Sequence, residues 1–417
     1  MLIRNVRSWL LSYPMSPRVT LSYYGGERTI LKRDAMLVRI EAENGTTGYG
    51  PGEASEKAQR AIETVIGPFL EGRSLDDLDG LRAEFEARED VDLSLSKIYA
   101  GVELTLYDLL GKLRDVPVSE LIGGRVRSRI QLYGSAGMYQ EPEGYAAEAA
   151  GMARLGYRAY KMRPALGPRG DVEAVKLMRE AAGPDFDLMI DAHSWWRMGD
   201  RSYDPATIEE VAGRMSEYKI TWLEEPLPPD DHAAYTRLHA KKLAPLASGE
   251  HEPGGERFLD LIRGGCVDYV QADVVCQGGY SIGRKILTEI SQQGLRFAFH
   301  SWGTDLEAIA AAHLGVCWPE TVVEWLEYPV YTTERLKTMY PFPLASEMLK
   351  SPLEINGGEL AVPEKPGFGV EVDESVIGRY PWIPGAWSYF SLISPPGTWS
   401  VTSDHSIQWA EKGEAKE

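Results

Sequence analysis

A chain of 417 residues, 43% of them hydrophobic, is long enough to bury a sizeable core and to form more than one domain. Its formal net charge of −18 argues against a nucleic-acid backbone or an anionic membrane as partner, although a local Lys or Arg can still bind an anion. The three cysteines, Cys266, Cys276 and Cys317, lack metal-ligand spacing and are expected as reduced, buried thiols.

The opening MLIRNVRSWLL is too short and too charged for a signal peptide or a membrane span. It reads as a first strand of a soluble, cytoplasmic protein. AMLVRIEAENGTTGYGPGEA places Asn44-Gly45 between two extended runs, a hairpin signal. Gly48, Gly50 and Gly52 do not make a dinucleotide loop, because they follow a hairpin and their third spacing is wrong. SYYGGERT, residues 22–29, is polar, aromatic and Gly-containing, which suits a mobile flap or an ordinary surface loop. Residues 55–125 read as helices. Ile98, Val102, Leu106, Leu109 and Leu113 form one apolar stripe before Pro117 and Gly123-Gly124 break the pattern. Residues 1–125 are therefore expected to form an α+β unit.

Residues 126–340 carry a different rhythm. Apolar runs end at, or just before, Tyr133, Lys161, Asp191, Glu224, Glu250, Asp273, His300 and Glu327, at intervals of 23 to 33 residues. Such an interval fits one strand, one helix and two short loops. Eight apolar runs so spaced predict an α/β fold of (β/α)8 type, whose C-terminal strand ends form the active-site mouth. Segments such as DVEAVKLMREAAG open with Asp and close with Gly, as helix capping prefers. The loop from His193 to Asp204 contains SWWRMGDRSY and is expected to shape a substrate pocket. In residues 341–417, SPLEINGGELAVPEKPGFGVEVD reads as turns and short strands returning to the N-terminal unit. An aromatic tail follows, with Trp382, Trp387, Tyr389, Phe390, Trp399 and Trp409. It is expected to pack on the barrel or to form a subunit contact, and the final AEKGEAKE to fray.

Asp191, Glu224 and Glu250 end three consecutive strands. Three converging carboxylates repel unless a cation sits between them, and oxygen-only ligands select a hard ion such as Mg²⁺. The alternative is a ring of salt-bridged carboxylates. Asp273 and His300 end adjacent strands, and a carboxylate beside an imidazole fixes its tautomer and raises its basicity. Lys161 and Arg163 are two apart on one strand and share a side. Lys161 can act as a base; Arg163 cannot, but it can bind a carboxylate or hold Lys161, and both can serve simply as salt-bridge partners. His193 shares a side with Asp191, either facing the substrate as a second acid or base or packing on Trp195 or Trp196. Glu327 completes the ring and can hydrogen-bond a substrate carboxylate while protonated, with Glu324 as the alternative.

These residues together resemble the enolase superfamily, in its mandelate racemase/muconate lactonizing enzyme-like group of acid-sugar dehydratases and racemases. GYGPGEAS resembles the family's Gly-Glu turn, YDLLGKLRDVPVSELIGG its capping-domain helix, and YKMR its Lys-x-Lys position. LMIDAH, WLEEP and SGE resemble the segments with the metal ligands. QADVVCQGG and FAFHSWGT resemble those with the Asp–His pair, LEYP the acid after strand eight, and PGFGVEVD the C-terminal return. The resemblance implies a modified TIM barrel with an α+β capping domain and one Mg²⁺ per subunit, held by Asp191, Glu224 and Glu250. It implies a lyase that removes the proton α to a carboxylate and then eliminates the β-hydroxyl as water. Arg163 departs from the second lysine of the pattern, which counts against a two-base racemase. The His300–Asp273 pair is then the expected base, Lys161 an electrostatic stabiliser or opposite-face acid/base, and His193 a candidate acid.

A racemase, epimerase or cycloisomerase of the same group is the first alternative; a catalytically inactive acid-sugar-binding barrel is the non-enzymatic one. A metal-dependent hydrolase barrel wants His-x-His where this chain reads Leu132-Tyr133-Gly134-Ser135, and no Gly-x-Ser-x-Gly nucleophile elbow appears. The implied partners are a small-molecule carboxylate, expected to be an acid sugar, and further copies of the chain in a homo-oligomer, with no nucleic acid and no membrane.

Overall fold

Alternating apolar and polar residues near the N-terminus build two long antiparallel strands, β1 (Ile3–Tyr23) and β2 (Gly26–Ala42). The structure, a computed structural model, describes residues 1–402 except 255, 335 and 338, together with the strand at 407–411. Most of the expected frayed end, AEKGEAKE, lies outside the described residues.

The Asn44-Gly45 turn forms as expected and leads into β3 (Thr47–Gly52), antiparallel to β2. Gly45 takes a φ of +86°, and Asn44 Oδ1 accepts a bond from the Thr46 N–H. The glycines of β3 serve packing. A Cβ on Gly48 would lie 2.6 Å from Leu109 Cβ, and one on Gly50 2.3 Å from Thr105 Oγ1, so only Gly lets the helix Leu93–Arg114 lie this close. That helix is capped by Asp92, whose side chain accepts from the Leu95 N–H. Ile98, Val102, Leu106 and Leu109 are buried and Leu113 half-buried. Its other side meets a barrel helix, Gly279–Gln293, so it is covered nearly all round.

Eight parallel strands follow: β4 (Arg129–Met138), β5 (Ala159–Arg163), β6 (Asp187–Asp191), β7 (Trp222–Glu224), β8 (Leu246–Ser248), β9 (Tyr269–Ala272), β10 (Arg296–Phe299) and β11 (Val323–Pro329). Each pairs with the next, and β11 pairs with β4 to close the barrel. The fold is the expected (β/α)8-type barrel with a separate antiparallel cap.

Two hairpins follow the barrel. The first, β12 (Ile355–Asn356) and β13 (Glu359–Ala361), adds antiparallel to β4. The chain then crosses to the cap helix, where the Phe368 N–H bonds Asp108 Oδ1 and the Val118 N–H bonds the Gly367 carbonyl. The second part, β14 (Ser388–Leu392), β15 (Gly397–Val401) and β16 (Ile407–Glu411), extends the cap sheet, with β14 paired to the Gly26–Ile30 half of β2. Trp387, Phe390 and Trp399 thus pack within the chain, against the cap.

This pairing corrects the mobile-flap reading of SYYGGERT. Tyr23 pairs with Gly26 across a tight turn, β14 covers the free edge of β2, and Arg201 donates to the Tyr24 carbonyl. The segment is the paired end of a sheet. Among the described residues, no helix is long and apolar enough to cross a membrane.

Candidate active site

One residue from each barrel strand, Tyr133, Ala159, Met189, Trp222, Ala247, Tyr269, Ala298 and Trp325, forms a cluster inside the barrel. Strand side chains alternate faces, so residues two further on point inward again, one layer nearer the C-terminal mouth. Those residues include Lys161, Asp191, Glu224, Gln271, His300 and Glu327. One more step of two gives Arg163, His193 and Asp273. Glu250 falls out of this count by one. Gly249, at a φ of +135°, turns the chain after β8, and a Cβ there would meet the Gln271 carbonyl at 2.2 Å.

Lys161 is the hub of the floor. Its Nζ lies 2.7 Å from Glu224 Oε1, 3.1 Å from Glu327 Oε1 and 3.8 Å from Asp191 Oδ2, and all four side chains are fully buried. Burial disfavours the Lys161 cation, but Glu224 and Glu327 outweigh it and hold the ammonium protonated well above its ordinary range. Glu224 also accepts from Trp222 Nε1 and Gln271 Nε2, at 3.0 and 2.9 Å. Burial still pushes its carboxyl up to about 8. Arg163 donates from Nε to Asp191 Oδ2 at 2.8 Å and stacks 3.7 Å from the Trp302 ring centroid.

Two imidazoles stand above the floor. His193 Nδ1 lies 2.6 Å from Asp191 Oδ1, so His193 is held by Asp191 and not by Trp195 or Trp196. Burial lowers its pKa, against the pull of Asp191. His300 Nδ1 is 3.6 Å from Asp273 Oδ2, and its Nε2 is 3.0 Å from Glu250 Oε2. Asp273 is itself anchored, accepting the backbone N–H groups of Val275 and Cys276 at 2.6 and 3.2 Å. Burial disfavours the His300 cation, but Glu250 and Glu327 raise its pKa well above the ordinary value.

A cavity of about 350 Å³ opens over these groups. Arg163, His193, Glu250, Asp273 and His300 line it, whereas Lys161, Asp191, Glu224 and Glu327 lie beneath it. Glu327 accepts the Ser301 N–H at 3.0 Å and faces Lys161, which corrects the expectation that it reaches a substrate directly. Glu324 is elsewhere, bound to Arg296 and Tyr269.

The donor chemistry fits a hard divalent ion in part. Asp191, His193 and Glu250 bring ligand atoms within 4.8 Å of one another, as do Glu225, Glu250 and His251. Glu250 Oε2 makes no aligned hydrogen bond although buried. Glu224 stands apart from both groups, because three buried carboxylates need compensating charge and Lys161 draws Glu224 to itself.

Two family profiles match the chain. One, the mandelate racemase/muconate lactonizing enzyme N-terminal domain, spans residues 25–123. The other, the enolase C-terminal domain-like profile, spans 144–376 and so covers more than half of the chain. The chain belongs to the enolase superfamily, in its mandelate racemase/muconate lactonizing enzyme group. It is 29% identical over 390 residues to D-galactarolactone cycloisomerase of Agrobacterium fabrum, covering 91% of this chain and 99% of that one. It is 31% identical over 393 residues to L-rhamnonate dehydratase of Saccharopolyspora erythraea, covering 90% and 93%. The crystal structure of the 3,6-anhydro-D-galactonate cycloisomerase of Zobellia galactanivorans superposes with a TM-score of 0.76 at 28% identity, covering 91% and 99%.

Several site residues of this enolase-superfamily chain escape the strand-end pattern. His251 Nδ1 lies 2.6 Å from Glu225 Oε2, and Arg197 Nη2 lies 3.2 Å from His251 Nε2. His251 directly follows SGE, which is the one local signal for it. Arg28 enters from β2 within SYYGGERT, whose polar and aromatic composition is the local signal for it.

Proposed function

We propose that the protein is a Mg²⁺-dependent acid-sugar dehydratase. One observation carries this reading: two imidazoles from separate strands, each with Nδ1 beside an aspartate, line one cavity above a buried carboxylate floor. Dehydration needs one group to take a proton and another to give one, and two anchored histidines meet that need. Asp191, Glu224 and Glu250 would hold the metal, with Lys161 released from Glu224. When bound, Mg²⁺ supplies positive charge beside the substrate carboxylate and lowers the cost of negative charge developing there.

In this reading Glu250, taken up as a metal ligand, no longer holds the proton on His300, and the neutral His300 removes the α-proton with Asp273 orienting its ring. The electron pair of the broken C–H bond forms the carbon–carbon double bond as the β C–O bond breaks. His193, neutral in the buried site and taking up a proton as the anionic substrate enters, gives that proton to the departing hydroxyl, water leaves, and the enol product tautomerises to a 2-oxo-3-deoxy acid. Arg163, fixed between Asp191 and Trp302, binds the substrate carboxylate. Lys161 stays charged beneath the cavity and stabilises negative charge electrostatically. The names of the Agrobacterium and Saccharopolyspora relatives support an acid sugar as substrate.

A cycloisomerase is the second reading, favoured by the Agrobacterium relative and the Zobellia structure. The proton abstraction is the same, but the leaving oxygen belongs to a ring, so the product is an isomer. Incubation with Mg²⁺ and acid sugars in D2O, followed by NMR, tests both. Loss of an α-proton signal with formation of a 2-oxo acid supports dehydration; an isomeric product supports cycloisomerisation. Mg²⁺ binding with no exchange across the panel would sink both.

A further inference from the structure

The cavity's other wall belongs to the cap, and its charge differs from the floor's. Arg28 is 6% exposed and lines the cavity from β2. Its guanidinium carbon lies 4.8 Å from the Trp387 ring centroid and 4.6 Å from that of Phe390. Those rings come from the segment at β14, beyond residue 376, where the barrel profile ends. Arg28 Nη1 reaches Met138 Sδ at 3.4 Å and the side chain also meets the Tyr139 hydroxyl, both neutral partners, while Nε has no hydrogen-bond partner. Among the described residues, no carboxylate lies within ion-pair distance of it.

The surrounding charge makes this more unusual. Burial pushes the Arg28 pKa down to about 10; Tyr139 opposes that, and the cations Arg33 and Arg163 add to it. Arg197 lines the same cavity, stacked 4.1 Å from the Trp196 ring centroid, with a buried Nε that also lacks a partner. A desolvated guanidinium without an anion is costly unless a ligand supplies one. Contact with both rings restrains the planar fork, which suits bidentate recognition of a carboxylate.

We propose that Arg28 binds a second carboxylate of the substrate, at the end remote from the reacting carbon, so that the preferred substrate is an aldarate, a polyhydroxy dicarboxylate. The segment of Trp387 and Phe390 is then a specificity element that fixes Arg28 in place. This inference rests on the acid-sugar reading above and narrows it.

The test compares hexarates with hexonates of matched stereochemistry, in wild type, Arg28→Met and Arg28→Lys. α-Proton exchange in D2O with Mg²⁺ reports catalysis, and titration calorimetry reports binding. Wild type is expected to favour the dicarboxylate in kcat/KM by roughly 10- to 100-fold, the scale of a hydrogen bond to a charged group. Arg28→Met should erase that preference by lowering kcat/KM for hexarates far more than for hexonates, and Arg28→Lys should keep part of it. Equal use of hexarates and hexonates by wild type, or an equal loss on both with Arg28→Met, would overturn the second-carboxylate site and leave the catalytic reading standing. Arg28-dependent hexarate binding without exchange would sustain the site and overturn the catalytic reading. Neither binding nor exchange would overturn both. The wild-type comparison needs no variant, so a misfolded Arg28→Met protein does not block the test.

Discussion

On the barrel floor every buried charge has an opposite neighbour: Lys161 answers Glu224 and Glu327, Arg163 answers Asp191, and His300 lies against Glu250. On the cap wall Arg28 contacts two rings and, among the described residues, forms no ion pair with a carboxylate. The floor neutralises itself within the protein, whereas the wall is completed by what enters. That division separates reaction from selection. The floor's residues govern whether a proton moves, and the wall's govern which molecule presents it.

The largest effect should come from the floor. Replacing His300 by Asn should slow α-proton exchange by roughly 10²- to 10⁴-fold on every substrate, monocarboxylate and dicarboxylate alike. Isotope exchange measured by NMR would show it. Retained exchange would remove His300 from the base role and blur the division between floor and wall.

Lys161→Met probes the floor's stability. Removing one partner of a buried ion cluster leaves uncompensated charge and costs about 3–5 kcal/mol. The loss, read by urea unfolding, should be larger in EDTA than in Mg²⁺, because a divalent ion replaces the missing positive charge. A loss below ~1 kcal/mol would mean that the carboxylates neutralise one another by sharing protons, and that Lys161 is not the hub.

The floor was legible in the sequence because two periods coincide there. A step of two along each strand and a recurrence of one strand–helix unit put Lys161, Asp191, Glu224, His300 and Glu327 in one layer. Their sharing a layer follows from pattern alone, but their partners do not. Glu224 turned to Lys161, and Glu327 sank beneath the cavity, because burial makes opposite charges seek each other. The cap wall was legible only in part: SYYGGERT holds Arg28, but nothing in the sequence paired it with Trp387. Arg28 and Trp387 stand near opposite ends of the chain, and only the register between β2 and β14 brings them together. Neither strand specifies that register by itself. SYYGGERT misled for the same reason: its composition suits a loop, but a distant strand completes it into a sheet.

A third site tests whether pH acts through the floor or through the seam between cap and barrel. His313 is fully buried there, its Nδ1 accepting the Ser119 N–H at 3.2 Å and its Nε2 donating to the Phe368 carbonyl at 3.1 Å. Burial pushes its pKa down to about 4, against the Phe368 carbonyl. The unfolded chain, titrating near 6.5, then binds more protons between those values. Stability is therefore complete above about pH 6.5 and falls by about 3 kcal/mol as pH drops toward 4. In His313→Gln that slope should flatten, as read by urea midpoints across the range. An unchanged slope would move the acid sensitivity to other groups, the floor among them.

The smallest effect separates the wall from the floor most cleanly. Trp387→Leu keeps an apolar contact at β14 but removes one of the two ring faces against Arg28. A cation–π contact of this kind is worth about 0.5–2 kcal/mol, so stability should fall by no more than that. Arg28 should lose orientation while keeping its charge. The expected kinetic signature is a several-fold rise in KM for dicarboxylates with kcat nearly constant and monocarboxylates unaffected, since uniform binding is lost and transition-state contacts on the floor are not. A fall in kcat on both substrate classes would mean that the aromatic tail reaches the catalytic layer, and that wall and floor form one mechanical unit.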